Sequence, residues 1–110
     1  MLVPGANKAV VDLRKLVSYC LDPAHVVGKH KARVFEKALG ISVDSAFQLA
    51  ASLKWAVANV DAKIGVLNSF GQRYIVDHEM AYNGRTAMVR SVWIVEQDTD
   101  FPRLVTCFVL

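Results

Sequence analysis

Apolar residues recur at helical spacing through the first half of the chain and at every second position near its C-terminal end. Leu13, Leu16, Val17 and Cys20 fall at i, i+3, i+4 and i+7, which predicts a first helix from an Asp12 N-cap to Leu21. Asp22-Pro23 stops it, because proline disfavours helical backbone in the residue before it. A second helix is expected from Lys29 to Leu39, with Phe35, Ala38 and Leu39 inward and Gly40 as a left-handed cap. A third, capped by Ser42 or Asp44, should run to Asn59. Its inner stripe is Ala46, Leu49, Ala50, Leu53, Ala56, Val57 and Val60, while Gln48 and Lys54 face water. Val60 to Gly71 reads as a loop with room for a short strand from Ile64 to Leu67.

The alternating runs Gln72–Ala81 and Arg85–Val95 flank Tyr82-Asn83-Gly84-Arg85, and Asn-Gly is a strong signal for a two-residue type I′ hairpin turn. That turn sets Tyr82 across from Arg85, Met80 from Ala87, Asp77 from Arg90, Val76 from Ser91 and Tyr74 from Trp93. One face then carries Tyr74, Val76, His78, Met80, Ala87, Val89, Ser91 and Trp93 and should pack on the helices. The other carries Arg73, Ile75, Asp77, Glu79, Met88, Arg90, Val92 and Ile94. A further strand is expected from Arg103 to Val109, with Thr106 beside Val92 and Arg90 if Val95 pairs near Arg103. The expected fold is one α+β domain over residues 1–110, three helices packed on a three- to four-stranded antiparallel meander. No lysine or proline guards the strand between Leu104 and Leu110. Its edge should therefore be covered by Val3–Val11 folded back as an extra strand, or by another chain.

A hydrophobic fraction of 54% with 21% charged residues excludes a disordered chain, and 110 residues suit one domain. The net charge of +3 permits a polyanionic partner without requiring one. Pro4, Gly5, Asn7 and Lys8 interrupt any apolar leader, and no apolar run reaches membrane-spanning length, so no membrane partner is expected. Two cysteines do not make a disulfide framework. Cys20 and Cys107 are read as buried thiols of a soluble, cytoplasmic protein. Zinc spacing, a Gly-rich phosphate loop and a nucleophile elbow are all missing, so neither metal nor cofactor is expected.

Lys29-His30-Lys31-Ala32-Arg33 opens the second helix, where free N–H groups and the helix dipole already favour an anion. Cations stacked on that end point to phosphate binding by Lys29 and Lys31, or else to a solvated basic face. His30 is the acid–base candidate, its imidazole class titrating near neutrality. His25 is expected to make a local turn contact and His78 a hydrogen-bonded core histidine. Trp55 and Trp93 are expected in the core or at an interface. Asp77 and Arg90 should form a cross-strand ion pair. On the same open face, Arg73 and Arg90 are further phosphate-binding candidates.

Two blocks of residues go beyond pattern. One is Lys15-Leu16, Tyr19, Leu21, Pro23, His25, Gly28-Lys29-His30-Lys31-Ala32, Phe35 and Leu39-Gly40. The other is Gly71-Gln72-Arg73-Tyr74, Asn83-Gly84-Arg85, Ser91-Val92-Trp93-Ile94 and Asp100-Phe101-Pro102-Arg103-Leu104-Val105-Thr106. Together they resemble a bacterial domain family of unknown function, found as short stand-alone proteins and as modules of larger chains. The resemblance implies a component of toxin–antitoxin-type or phage-defence-type gene pairs with a small cognate partner protein. Its helices-then-meander order is similar to barnase-, colicin- and RelE-like ribonuclease toxins. On that analogy RNA is the substrate, with Lys31, Arg73 and Arg90 stabilising phosphate, His30 as acid or base and Thr106 as a positioning hydroxyl. The rival expectation is a non-catalytic module that docks a partner protein or a second copy through its sheet.

Overall fold

A computed structural model describes residues 1–110. Asp12 caps the first helix, accepting from the Arg14 backbone N–H at 3.0 Å. Helix α1 (Leu13–Lys15) passes at once into a π-helical turn, Leu16–Cys20, closed by the Leu21 N–H donating to the Leu16 carbonyl at 2.8 Å. The wider turn keeps Leu16 and Cys20 buried but leaves Val17 43% exposed, so the expected stripe loses that member. Helix α2 (Lys29–Leu39) has the expected bounds and ends on Gly40 in the left-handed conformation. A 3-10 turn (Val43–Ser45) leads into α3 (Ala46–Asn59), which buries Ala46, Leu49, Ala50, Leu53, Ala56 and Val57. Trp55, on the outer side of α3, is 58% exposed, whereas Trp93 is fully buried.

Four strands follow, β1 (Ala62–Asn68), β2 (Gly71–Tyr82), β3 (Arg85–Glu96) and β4 (Pro102–Val109), in one antiparallel sheet of order β1-β2-β3-β4. The β2–β3 register is the one the turn dictates, with Asp77 across from Arg90 and Tyr74 across from Trp93. Asn83 (φ 54°) and Gly84 (φ 71°) supply the positive dihedrals of a type I′ turn. The Asn83 amide also donates to the Leu39 carbonyl at 3.0 Å, fastening the hairpin to the end of α2.

The helix-facing side of the sheet buries Tyr74, Val76, His78, Met80, Val89, Ser91, Trp93, Leu104 and Cys107. Its polar side chains are partnered except at His78 Nδ1, which is buried without a hydrogen bond. Trp93 Nε1 donates to Ser91 Oγ at 2.9 Å, and His78 Nε2 shares a 2.9 Å hydrogen bond with Ser52 Oγ on α3. Burial holds the His78 imidazole below its ordinary pKa, as for a core histidine.

Two features depart from the sequence reading. β1 is a full strand of the sheet, longer than Ile64–Leu67, with a bulge between Ile64 and Leu67. The β4 edge is met by the N-terminal segment through one parallel bridge rather than a whole strand. The Val10 N–H donates to the Pro102 carbonyl at 2.9 Å, and the Leu104 N–H donates back at 3.0 Å. Beyond that bridge, α2 and the π-helical turn lie alongside β4. No helix is long and apolar enough to cross a membrane.

Candidate functional site at the edge of the sheet

The connection between the first two helices sets the site. His25 Nδ1 accepts from the backbone N–H groups of Val27 (3.0 Å) and Gly28 (2.9 Å), making His25 the turn contact expected of it. Gly28 then lies so close to the π-helical turn that a Cβ there would stand 2.0 Å from the Tyr19 carbonyl oxygen. Only glycine allows this approach. It brings the first turn of α2 against Tyr19, whose ring also meets His25 edge-on at 5.0 Å.

Lys31 therefore points across to β4. Its Nζ donates to the Tyr19 hydroxyl and, at 3.1 Å, to Thr106 Oγ1. The ammonium also stands 4.5 Å from the Tyr19 ring centroid and 5.7 Å from that of Phe108. Lys31, Tyr19, Thr106 and Phe108 are all half-buried, and the two hydroxyls fix the position of the charge.

Beneath Thr106 sit both thiols. Cys20 Sγ is 3.7 Å from Thr106 Oγ1. The Cys20 pKa falls to about 6, chiefly through a hydrogen bond from the Cys107 thiol, with smaller help from Thr106 and the Lys31 charge, while burial opposes it. The same contact, with burial, raises Cys107 well above the ordinary thiol value. Both are free and buried.

On β3, Arg90 lies across from Phe108 and is held in a bidentate pair, Nε to Asp77 Oδ1 at 2.8 Å and Nη2 to Oδ2 at 2.9 Å. Its guanidinium holds the Asp77 carboxyl below the usual carboxylate range. Arg90 is thus paired in register with Phe108, but its guanidinium is turned to Asp77 of β2, away from the β4 edge that Lys31 reaches. Thr106, across from Val92, belongs to the open face with Arg90.

The structure brings Lys31 and Thr106 together and places Arg90 on the neighbouring strand of the same face, engaged with Asp77. It separates the other candidates. Lys29 turns the opposite way and lines a cavity of about 230 Å³ with Arg33 and Glu36. His30 is exposed between the two lysines. Arg73 lies farther along the open face, across from Ile94. Tyr19 stands in the block that carries the family resemblance, but the sequence reading gave it no role, because the widened last turn that aims it is not visible in the periodicity. No group of three or more His, Cys, Asp or Glu side chains is placed to hold a metal ion.

Three helices on one face of a four-stranded meander, with a helix-borne lysine reaching an edge strand, define a small α+β module with a cationic sheet edge. The chain belongs to the family described as domain of unknown function DUF6883, whose model matches residues 2–110. Among solved structures, it is similar to a chain of a contact-dependent growth inhibition toxin–immunity protein complex from Klebsiella pneumoniae 342. The TM-score is 0.71 at 18% identity, over 94% of this chain and 95% of that one, a likeness of fold. Comparison with curated proteins gives no match.

Proposed function

We propose that this chain is a component of a toxin–immunity-type system, and that the Lys31 site cleaves RNA without a metal ion. The observation that carries the reading is the Lys31 ammonium, held by the Tyr19 and Thr106 hydroxyls at the β4 edge, with the Arg90–Asp77 pair on the same open face of the sheet. In this reaction an RNA 2′-hydroxyl attacks the adjacent phosphorus, forming a 2′,3′-cyclic phosphate as the 5′-oxygen leaves. Negative charge grows on the non-bridging oxygens. Lys31, already fixed in place, meets that charge, and Arg90 adds to the field while Asp77 keeps it from swinging. In this reading the proton of the attacking 2′-hydroxyl passes through the Tyr19 and Thr106 hydroxyls to the departing 5′-oxygen, so that acid and base are balanced. His30, exposed one residue away, is the remaining acid–base candidate. The fold likeness to a chain of a toxin–immunity complex supports the class of system and a protein partner.

Purified protein incubated with a short single-stranded RNA should give 2′,3′-cyclic phosphate ends in the presence of chelator. Lys31→Met should lower the rate about 10²-fold, the usual cost of one preorganised charge-stabilising donor. A chelator-sensitive activity, or one indifferent to Lys31→Met, rejects the reading.

A second reading rests on β1. This edge strand exposes Ile64 (64%), Val66 (62%) and Leu67 (71%), an apolar, open edge of the kind a partner strand can extend. Binding of a cognate protein there is compatible with a catalytic site on the opposite edge of the sheet.

A further inference from the structure

The open face of the sheet is not uniformly open. Ile94 lies on it yet is only 5% exposed. Around it Lys15, Phe70, Arg73, Glu96 and Arg103 line a surface hollow of about 260 Å³. Three cations face one carboxylate there, and that carboxylate is engaged, Arg103 Nε donating to Glu96 Oε1 at 3.2 Å. Arg73 Nε is buried with no hydrogen-bond partner. A buried guanidinium N–H without an acceptor carries a desolvation cost, which an oxygen ligand would relieve once the Arg73 side chain turns into the cavity it lines. At the rim Phe70 is 73% exposed, an aromatic side chain placed next to cations rather than in the core.

Position ties this cavity to the Lys31 site. Lys15 precedes Tyr19 by four residues, and Arg103 precedes Thr106 by three on β4, roughly 10 Å of strand. Both lysines reach the same strand, Lys15 at the Arg103 end and Lys31 at the Thr106 end. Cations spread along one strand with an aromatic platform at one end are what a single nucleic-acid strand requires: charge for the backbone and a π-face for a base.

We propose that the Lys15–Arg73–Arg103 cavity is a nucleotide subsite for single-stranded RNA. Its cations hold a phosphate neighbouring the one at Lys31, and a base stacks on Phe70. This rests on RNA as substrate of the Lys31 site and adds where and in what form the strand lies. A duplex cannot offer an unstacked base to Phe70, so the subsite selects unpaired RNA.

The test uses a fluorescent 2′-O-methyl RNA oligonucleotide, which lacks the attacking hydroxyl and so reports binding alone, read by anisotropy across a salt series. The wild-type protein should bind it more tightly than the same sequence annealed to its complement. Phe70→Ala should weaken binding about tenfold. Arg73→Gln should flatten the log–log salt slope by about 0.7, one single-strand phosphate contact. Circular dichroism checks that both variants fold, and Phe70, on an exposed rim, should not disturb folding. Lys31→Met, which removes a phosphate contact of its own, should likewise weaken binding and flatten the slope by about 0.7. If Phe70→Ala and Arg73→Gln bind as wild type while Lys31→Met abolishes cleavage, the subsite is refuted and the catalytic reading stands. If they lose binding while Lys31→Met still cleaves, the catalytic reading fails and the subsite stands. Weakening by Arg73→Gln with no effect of Phe70→Ala marks a site for an acidic protein surface and overturns the proposal, as does failure of the wild type to bind.

Discussion

Thr106→Val is the sharpest probe of the Lys31 site, since it removes one hydroxyl and keeps the β-branched shape a strand favours. What is lost is the 3.1 Å hydrogen bond from Lys31 and the 3.7 Å contact with Cys20. A hydrogen bond to a charged group contributes about 1.5–3 kcal/mol when fully desolvated, but Thr106 and Lys31 are half-buried and water replaces part of it. A stability loss of about 1 kcal/mol is therefore expected, a urea midpoint lower by about 0.5 M. In the RNA cleavage assay, Thr106→Val leaves the ammonium held by Tyr19 alone, and a loss of about tenfold is expected, against about 10²-fold for Lys31→Met. The double variant should be no slower than Lys31→Met, because a hydroxyl that acts by positioning the ammonium has nothing left to position. That corresponds to a coupling of about 1.4 kcal/mol. Losses that multiply would show the hydroxyl acting independently of the lysine. A Thr106→Val protein less stable by the expected amount yet fully active would make the contact structural only.

Three further outcomes follow from the same geometry. Gly28→Ala must push α2 off the Tyr19 carbonyl, so it should lower the thermal midpoint and reduce cleavage at least as much as Thr106→Val; an unchanged midpoint would contradict the close approach. Cys20, with a folded pKa of about 6 against an ordinary 9.0, contributes stability that is present above about pH 9 and lost as pH falls toward 6; Cys107, shifted up, opposes this above pH 9. Urea midpoints across that range should rise with pH in the wild type and rise less in Cys20→Ala, and identical profiles would reject a Cys20 thiolate. Asp77→Asn breaks the bidentate pair and should cost about 1 kcal/mol at neutral pH, since both partners are partly exposed. Asp77's lowered pKa means that this contribution is lost as pH falls through the folded value, so the two proteins should converge in acid.

The sequence carried the β2–β3 hairpin almost completely, because Asn83-Gly84 admits one turn type and a two-residue period then allows one register. Helix α2 was equally legible, bounded by Gly28 on one side and Gly40 on the other. β1 was not. With only Ala62 buried and Gly65 partly so, it has no inward face to impose alternation, and a bulge shifts its pairing. The π-helical turn was hidden for a different reason. Asp12, Leu16 and Cys20 fit an ordinary helix equally well, and only packing against Gly28 and β4 rewards the widened turn. Of the site, Lys31, Thr106 and Arg90 could be named from charge and strand parity, but the meeting of Lys31 with Thr106 depends on Gly28, a residue with no chemistry of its own.

The unguarded β4 edge was the open structural question in the sequence, and its resolution bears on where chemistry can sit. An edge strand must be blunted, and here Val10 does so only beside Pro102 and Leu104. The remainder is flanked by helices that send Lys15 and Lys31 over it. A lysine at a sheet edge discourages pairing with another strand because its charge would be desolvated. The same charge, held by Tyr19 and Thr106, is pre-positioned for a phosphate. Protection and anion binding therefore fall on one residue, and Lys31→Met separates them. If edge protection is Lys31's main contribution, light scattering of the variant should show association at concentrations where the wild type does not. If phosphate stabilisation is, the variant should keep the wild-type association state and lose cleavage.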